Sequence, residues 1–357
     1  PMLTGNVEDT TATVVVTVDG IEYAATNNAD GSWTLADNTL PALDDGETTI
    51  TVTATDAAGN DATNTGTINV DTVGINVSVD ALVTNDTSPA LSGSIDDATA
   101  TVIVTVNGIE YDATNNGNGT WTLADNELAA LTEGEIAVSV VATDAANNSS
   151  EAATGTITLD LTAPTVTVTS ITTSDTTPAL NGTVNDNDAT VVVTVNSIEY
   201  DATNNGNGTW TLADNELATL TEGEIAVSVV ATDAANNSSD AATGTITVDL
   251  TAPAVAVTSI TTNDTTPLLT GTVEDNEATV IVTVNGIEYE ATNNADGTWT
   301  LADNELAALS EGEIAVSVVA TDAANNSSDA ATGTITVDLT APTVAVTSIT
   351  TNDTTPL

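Results

Sequence analysis

The chain repeats itself. Trp33, Trp121, Trp210 and Trp299 are spaced 88, 89 and 89 residues apart, and Tyr23, Tyr111, Tyr200 and Tyr289 keep the same spacings. Asp71, Asp160, Asp249 and Asp338 recur every 89 residues. A fixed period of this length, with one Trp and one Tyr per copy and no Phe anywhere, describes several copies of one small domain rather than one large core. Each structural feature is therefore expected once per copy.

The third copy divides into seven short runs of period-2 patterning, rich in Val, Ile and Thr, as strands with one buried face require. Strand A is expected at Thr165 to Ile171, B at Ala179 to Val184 and C at Thr190 to Val195. D starts at Ile198 and Tyr200, E carries Trp210 and Leu212, F carries Ile225, Val227 and Val229, and G carries Ile246 and Val248. Between C and D stand Asp19-Gly20, Asn107-Gly108, Asn196-Ser197 and Asn285-Gly286, pairs that accept the positive φ of a type I′ hairpin. Seven short strands in each period indicate an all-β fold, tandem immunoglobulin-like antiparallel β-sandwiches arranged end to end. Trp and Tyr read as core anchors. The expected repeats are 1–71, lacking strand A, then 72–160, 161–249 and 250–338, with 339–357 as strand A of a fifth, truncated copy. Strand G of the third copy is separated from the next Pro by only Asp249, Leu250, Thr251 and Ala252, which is not a flexible tether.

The chain carries 52 Asp and Glu and no Lys, Arg or His, a net charge of −52. Nothing in it pairs with phosphate, so nucleic acid and a basic membrane patch are excluded as partners. There is no His, Cys or Lys for a triad, a thiolate, a zinc site or a Schiff base, and the reading is non-enzymatic. No apolar run is long enough to cross a membrane in this fragment. The charge opposes side-by-side association, so a monomeric rod is expected.

Acidic residues recur at the same places in each copy. The joint holds Asp71, Asp160, Asp249 and Asp338. The B–C loop holds Asp9, Asp97, Asp186 and Asp275, and the F–G loop Asp56, Asp144, Asp233 and Asp322. The A–B turn holds Asp86, Asp175, Asp264 and Asp353. The E–F loop ends in Glu133 and Glu135, Glu222 and Glu224, and Glu311 and Glu313. Strand order places the A–B turn and E–F loop of one copy at the joint, facing the B–C and F–G loops of the next. Like charges gathered without a basic partner are costly, and a hard cation held by oxygen relieves the cost; calcium at the joints is the expected ion. The alternative is a solvated acidic surface, with Asp and Asn chosen for turn geometry. The candidate ligands are Asp71, Asp160, Asp249, Asp338, Asp97, Asp186, Asp275, Asp144, Asp233 and Asp322. The sequons at Asn147, Asn148, Asn236, Asn237, Asn325 and Asn326 read as turn residues.

Several motifs resemble the bacterial Ig-like repeats of giant surface adhesins, above all the extender region of RTX-type adhesins of Gram-negative marine bacteria. They are Asp-Leu-Thr-Ala-Pro at 160–164, 249–253 and 338–342, Asn-Asp-Thr-Thr-Pro at 263–267, Asn-Gly-Ile-Glu-Tyr at 107–111 and 285–289, Gly-Thr-Trp-Thr-Leu at 119–123, and Ala-Thr-Asp-Ala-Ala-Gly-Asn at 54–60. The resemblance implies a secreted, extracellular protein held at the cell surface, whose repeats project a distal binding region in adhesion and biofilm formation. It also implies calcium at the domain joints, where neighbouring repeats of one chain are the partners. The first joint departs from the motif, reading Asp71-Thr72-Val73-Gly74-Ile75 without the Pro. The competing function is a repeated glycan- or cell-binding module, for which an exposed aromatic face is the mark.

Pro1-Met2-Leu3-Thr4-Gly5 aligns with Pro89-Ala90-Leu91-Ser92-Gly93, so the first copy opens at strand B. Residues 343–357 align with strand A and the first residues of B. The expectation is that this tail adds as a strand to the first copy of a neighbouring molecule.

Overall fold

The structure, a computed structural model, describes residues 2–351 and 354; Pro1, Asn352, Asp353 and residues 355–357 lie outside it. Two compact bodies make up the chain. One holds the first two sandwiches with Ala234–Asn236, and the other holds the remainder, with the last two sandwiches.

In the third copy the strands are Ile171–Thr173, Leu180–Thr183 (B), Thr190–Val195 (C), Ile198–Asn204 (D), Thr209–Leu212 (E), Gly223–Thr232 (F) and Ala242–Val248 (G). Alternation sets the core: Val191, Val193 and Val195 of strand C are buried, while Val192 and Thr194 lie half-buried on the other face. Val227 and Val229 of strand F, Ile246 and Val248 of strand G, Trp210 and Leu212 join them in one cluster. The C–D turn closes with Asn196 and Ser197 both at positive φ, 51° and 64°, as a type I′ hairpin demands.

Strand order is 171–173, G, F, C, D, E, B. Strand D serves both layers. Val191 to Val195 of strand C pair with Ala202 to Ile198, whereas Thr203 and Asn204 pair with Thr211 and Trp210 of strand E.

Strand A differs from the single antiparallel run expected between Thr165 and Ile171. Its first part lies along strand B, with Thr167 N donating to Thr183 O and Thr169 N to Asn181 O, both at 2.9 Å. Its second part, Ile171–Thr173, pairs in parallel with Ile246 to Val248 of strand G. The reason is topological: B and G are the two free edges of one sheet, and the connecting segment must close both. Ser170 stands at the crossing, its Oγ accepting from Thr245 N at 3.0 Å. The second and fourth copies repeat the parallel pairing, Leu82 with Ile157 and Ile260 with Ile335.

Trp121, Trp210 and Trp299 are wholly buried, and each indole N–H donates to a strand A carbonyl, Ser78 O at 2.7 Å, Thr167 O at 2.8 Å and Ala256 O at 2.9 Å. Tyr111, Tyr200 and Tyr289 pack half-buried against the cores, and their hydroxyls accept from Ala129 N, Ala218 N and Ala307 N. In the first copy the residue aligned with Ala129 is Pro41, which has no N–H to give Tyr23.

The first copy comprises Leu3–Asn6 (B), Thr13–Val18 (C), Ile21–Asn27 (D), Ser32–Leu35 (E), Gly46–Thr55 (F) and Asp61–Val70 (G), in the order B, E, D, C, F, G. Both outer edges are open among the described residues. Residues 338–351 form no strand, and Val344, Val346 and Ile349 are 91, 89 and 71% exposed.

Candidate functional site

Each joint begins where strand G runs out. Asp249 N still donates to Thr173 O at 3.0 Å, which ends the parallel ladder. The side chain then turns the chain: Asp249 Oδ1 accepts Thr251 N at 2.9 Å, and Thr251 Oγ1 donates to Glu222 Oε1 at 3.1 Å. Asp160 and Asp338 repeat the pattern, with Thr162 and Thr340 donating to them at 2.9 Å and to Glu133 and Glu311 at 2.8 Å. At the first joint Asp71 Oδ1 accepts Val73 N at 3.0 Å, and Asp45 takes the glutamate's place by accepting both Thr72 N and Thr72 Oγ1. A short polar side chain binding the backbone two residues on is why Asp stands at this position.

The F–G loop of the following sandwich reaches back across the joint. Asp322 Oδ1 accepts Asn326 N at 2.8 Å and Asp322 Oδ2 accepts Asn326 Nδ2 at 2.9 Å, which fixes the amide. That amide also donates to Asp249 O at 2.8 Å. Ser174 N, in the A–B turn of the third sandwich, donates to Ala324 O of the same loop at 3.1 Å. In the other body Asn148 Nδ2 donates to Asp71 O at 2.9 Å while Asp144 holds Asn148. The joint aspartate and the F–G aspartate are thus brought together through one asparagine. Asn148 and Asn326, read from sequence as turn residues, are the clasps. Asn147, Asn236 and Asn325 are the turn residues, each with φ of 69°.

The B–C aspartates form a different arrangement. Asp97, Asp186 and Asp275 cap their own loops by accepting N–H groups of Thr99, Asp188 and Glu277 at 2.7, 2.9 and 2.8 Å. Their carbonyls accept Asn115, Asn204 and Asn293 Nδ2, which ties the loop to the end of strand D. Among the described residues no hydrogen bond joins Asp97 to Asp71 or Asp275 to Asp249. Asp233 holds Asn237 as Asp322 holds Asn326.

Hydrogen bonding sets the acidity of several of these groups. The Asn148 side chain holds Asp144 below the ordinary carboxylate value, against partial desolvation, and Asn60 does the same for Asp56. Asp9 is held low by the Thr11 hydroxyl and N–H, with the charge of Asp56 pushing the other way. Asp175 is held low chiefly by Thr177 N–H, against partial desolvation, and the Asp214 side chain lies beside it. Asp214, in the E–F loop, is a member of this acidic end that strand-order reasoning missed. Its signal was present as the Leu-Ala-Asp-Asn stretch recurring at 35–38, 123–126, 212–215 and 301–304. Among the described residues no three acidic side chains form a group able to hold a metal ion. The donors at the joint are nevertheless all oxygen: carboxylates, and the Asp71 and Asp249 carbonyls. Asp249 Oδ2 has no hydrogen-bond partner among the described residues.

Repeated sandwiches with clasped joints define a tandem Ig-like array. The chain belongs to the bacterial Ig-like domain family, which matches residues 1–72, 76–161, 166–250 and 255–339. Among solved structures it is similar to a tetra-tandem repeat from the extending region of a large adhesion protein, at 24% identity over 95% of each chain with a TM-score of 0.32. It is also similar to a Ca2+-stabilized adhesin that helps an Antarctic bacterium reach out and bind ice, at 26% identity over 94% of each chain with a TM-score of 0.31. A third is a 1.5-MDa bacterial ice-binding adhesin, at 22% identity over 74% of this chain and 98% of the other, TM-score 0.29. No curated protein matches the chain.

Proposed function

We propose that this chain is a spacer from the extender region of a bacterial cell-surface adhesin of RTX type, in a Gram-negative marine organism. It is non-catalytic, and its work is reach: a monomeric, extracellular rod of repeats 1–71, 72–160, 161–249 and 250–338 that carries a distal binding region away from the cell. The observation that carries this reading is the clasped joint. A linker of a few residues is capped by its own aspartate and gripped by the next sandwich through Asn148 and Asn326. Such a joint resists bending in a way a Gly/Ser tether does not. A repeated glycan-binding role lacks its platform, because all four Trp are core residues.

Calcium is the proposed stiffener. The donors suit it in kind, being oxygen only, and the chain supplies no cationic side chain to compete. The ion would draw on Asp71, Asp160, Asp249 and Asp338 at the joints, with Asp144, Asp233 and Asp322, and Asp97, Asp186 and Asp275, from the facing loops. A few carboxylates helped by carbonyl and water oxygens suit the weak range of extracellular modules, with dissociation constants of about 10⁻⁴–10⁻³ M. At a hundredfold excess of ion each such site adds about 2.7 kcal/mol to the native state. Calorimetric titration of metal-free protein with calcium tests this. Heat that saturates in the millimolar range, together with a Tm that rises with calcium and falls on chelation, is expected. No heat and a constant Tm would remove calcium from the account and leave only the hydrogen-bonded clasp.

A further inference from the structure

Strand A ties the second, third and fourth sandwiches on two sides, and the second tie is not the same in every copy. Toward strand B the grip is backbone: Ser78 N donates to Ser94 O, Thr167 N to Thr183 O and Thr258 N to Thr270 O, all at 2.9 Å. Toward strand G it is the parallel pairing of Leu82–Thr84, Ile171–Thr173 and Ile260–Thr262. Each parallel ladder ends in the N–H of a joint aspartate, with Asp160 donating to Thr84 O, Asp249 to Thr173 O and Asp338 to Thr262 O at 3.0, 3.0 and 2.9 Å. The ladders begin differently. Ser170 and Ser259 stand just before two of them, and their Oγ atoms accept Thr245 N and Thr334 N, both at 3.0 Å. In the second copy that position is Ala81, which has no oxygen to offer Thr156 N.

Strand G is shaped for the serine. A Cβ on Gly244 or Gly333 would stand 3.3 Å from the Oγ of Ser170 or Ser259, so glycine leaves the hydroxyl a way to the next N–H. At Gly155 the nearest atoms all belong to Val79. Strand direction decides what the bond resists. The chain enters each of these sandwiches through strand A and leaves through strand G. The two run parallel, so tension along the chain pulls the start of one against the end of the other. They must slide lengthwise past each other, and the bonds between them are strained together rather than opened one at a time. The bonds to strand B are met first, and those to strand G are the last tie between the entering and the leaving end.

We propose that the serine at the strand A crossing is a mechanical catch, and that under tension the second sandwich, with Ala81 in its place, opens before the third and fourth. The inference deepens the spacer reading, on which it rests for the source of the tension. A spacer is pulled through its two ends, and a graded set of sandwiches gives way singly: the weakest releases its length of chain while the others stay folded. One hydrogen bond of this kind changes an equilibrium by a factor of about 2–10, and a bond broken at the barrier passes that factor to the opening rate.

The test is single-molecule force spectroscopy of the full chain in chelator, so that no metal at a joint sets the force. The chain has no Cys, so one added beyond each end serves as a handle. Among events that release a whole repeat, the parent is expected to show one at lower force and two at higher. Ala81→Ser should move the low event up and Ser170→Ala should move one high event down, each by about a two- to tenfold change in opening rate at fixed force. Thr167→Ala is the control for a role in stability alone. It removes the hydroxyl pair of Thr167 and Thr183, 2.7 Å apart, from the strand B side, where the fourth copy already has Ala256, and it should leave the events where they are. All three positions are exposed, so the variants should fold like the parent. Equal forces in the parent, with no response to Ala81→Ser or Ser170→Ala, overturn the proposal. So does a shift from Thr167→Ala as large as that from Ser170→Ala. These forces are read on the chain alone: a failed hierarchy leaves the spacer reading standing, and a chain shown not to be a spacer keeps its hierarchy.

Discussion

Replacing Gly182 by Ala asks how much of a sandwich depends on strand A. The added Cβ would stand 1.9 Å from Thr167 O and 2.6 Å from Trp210 Nε1. Neither neighbour is free to move. Thr167 O is backbone and accepts the indole N–H at 2.8 Å, and the Trp210 ring is wholly buried. The first part of strand A is the piece that must yield. Its withdrawal breaks the bonds from Thr167 N to Thr183 O and from Thr169 N to Asn181 O. Leaving the Trp210 indole N–H without its partner costs about 1–3 kcal/mol, and relieving an overpacked contact costs about 1–3 more. A total of about 2–6 kcal/mol is a large part of the whole stability of a small domain, which is about 5–15 kcal/mol. The third sandwich should stay folded but open along strand A. Hydrogen exchange read by mass spectrometry should show residues 165–173 losing protection while strand F keeps its own. Asn181→Ala, exposed on the same strand, is the control and should lie within about 0.5 kcal/mol of the parent. If Gly182→Ala matches that control in both stability and exchange, strand A does not close the sandwich as described.

Ser197→Gly should stabilise the third sandwich by up to about 1 kcal/mol, because Ser197 holds φ of 64° where a Cβ is unfavourable; an unchanged urea midpoint would count against a strained turn. Asn326→Ala removes the clasp on Asp249 O and should cost about 1–2 kcal/mol of joint rigidity while both neighbouring sandwiches keep their folds; spin-label distances across that joint should broaden, and unchanged widths would show the clasp to be idle. Asp144 and Asp56 are held below their ordinary value of 3.8, so their support of the F–G loop is complete at neutral pH and lost only as pH falls through the lower folded value. Carboxyl carbon shifts followed by NMR should titrate below 3.8 for these two, and midpoints at or above it would contradict the hydrogen bonding.

The repeat, the strands and the core were legible because they rest on patterns the chain writes many times. Strand C is the clearest case: its alternation of Val191, Val193 and Val195 against Val192 and Thr194 fixed both its bounds and its buried face. The split of strand A was not legible. Val166, Val168 and Ile171 look like one apolar strand, and only the existence of two free sheet edges makes the segment cross at Ser170. The joint was half legible. Joint and F–G aspartates could be placed by strand order, but which atom bridges them depends on the reach of an asparagine amide, for which sequence carries no period. Asn148 and Asn326 therefore looked like ordinary turn residues beside Asn147 and Asn325. Asp214 was overlooked for the opposite reason: its Asp-Asn step is so common a loop signal that its approach to Asp175 is visible only in three dimensions.

Small-angle X-ray scattering of the full chain tests most directly whether calcium at the clasped joints makes it a stiff rod, as proposed. The protein should be measured first in millimolar calcium and then in excess chelator at matched ionic strength. A stiff rod gives a pair-distance distribution with a long, well-defined maximum dimension in calcium, and on chelation that maximum should shorten and its profile blur as the joints bend. Superposable curves in the two conditions would contradict calcium stiffening, and a compact distribution in calcium would contradict the rod itself.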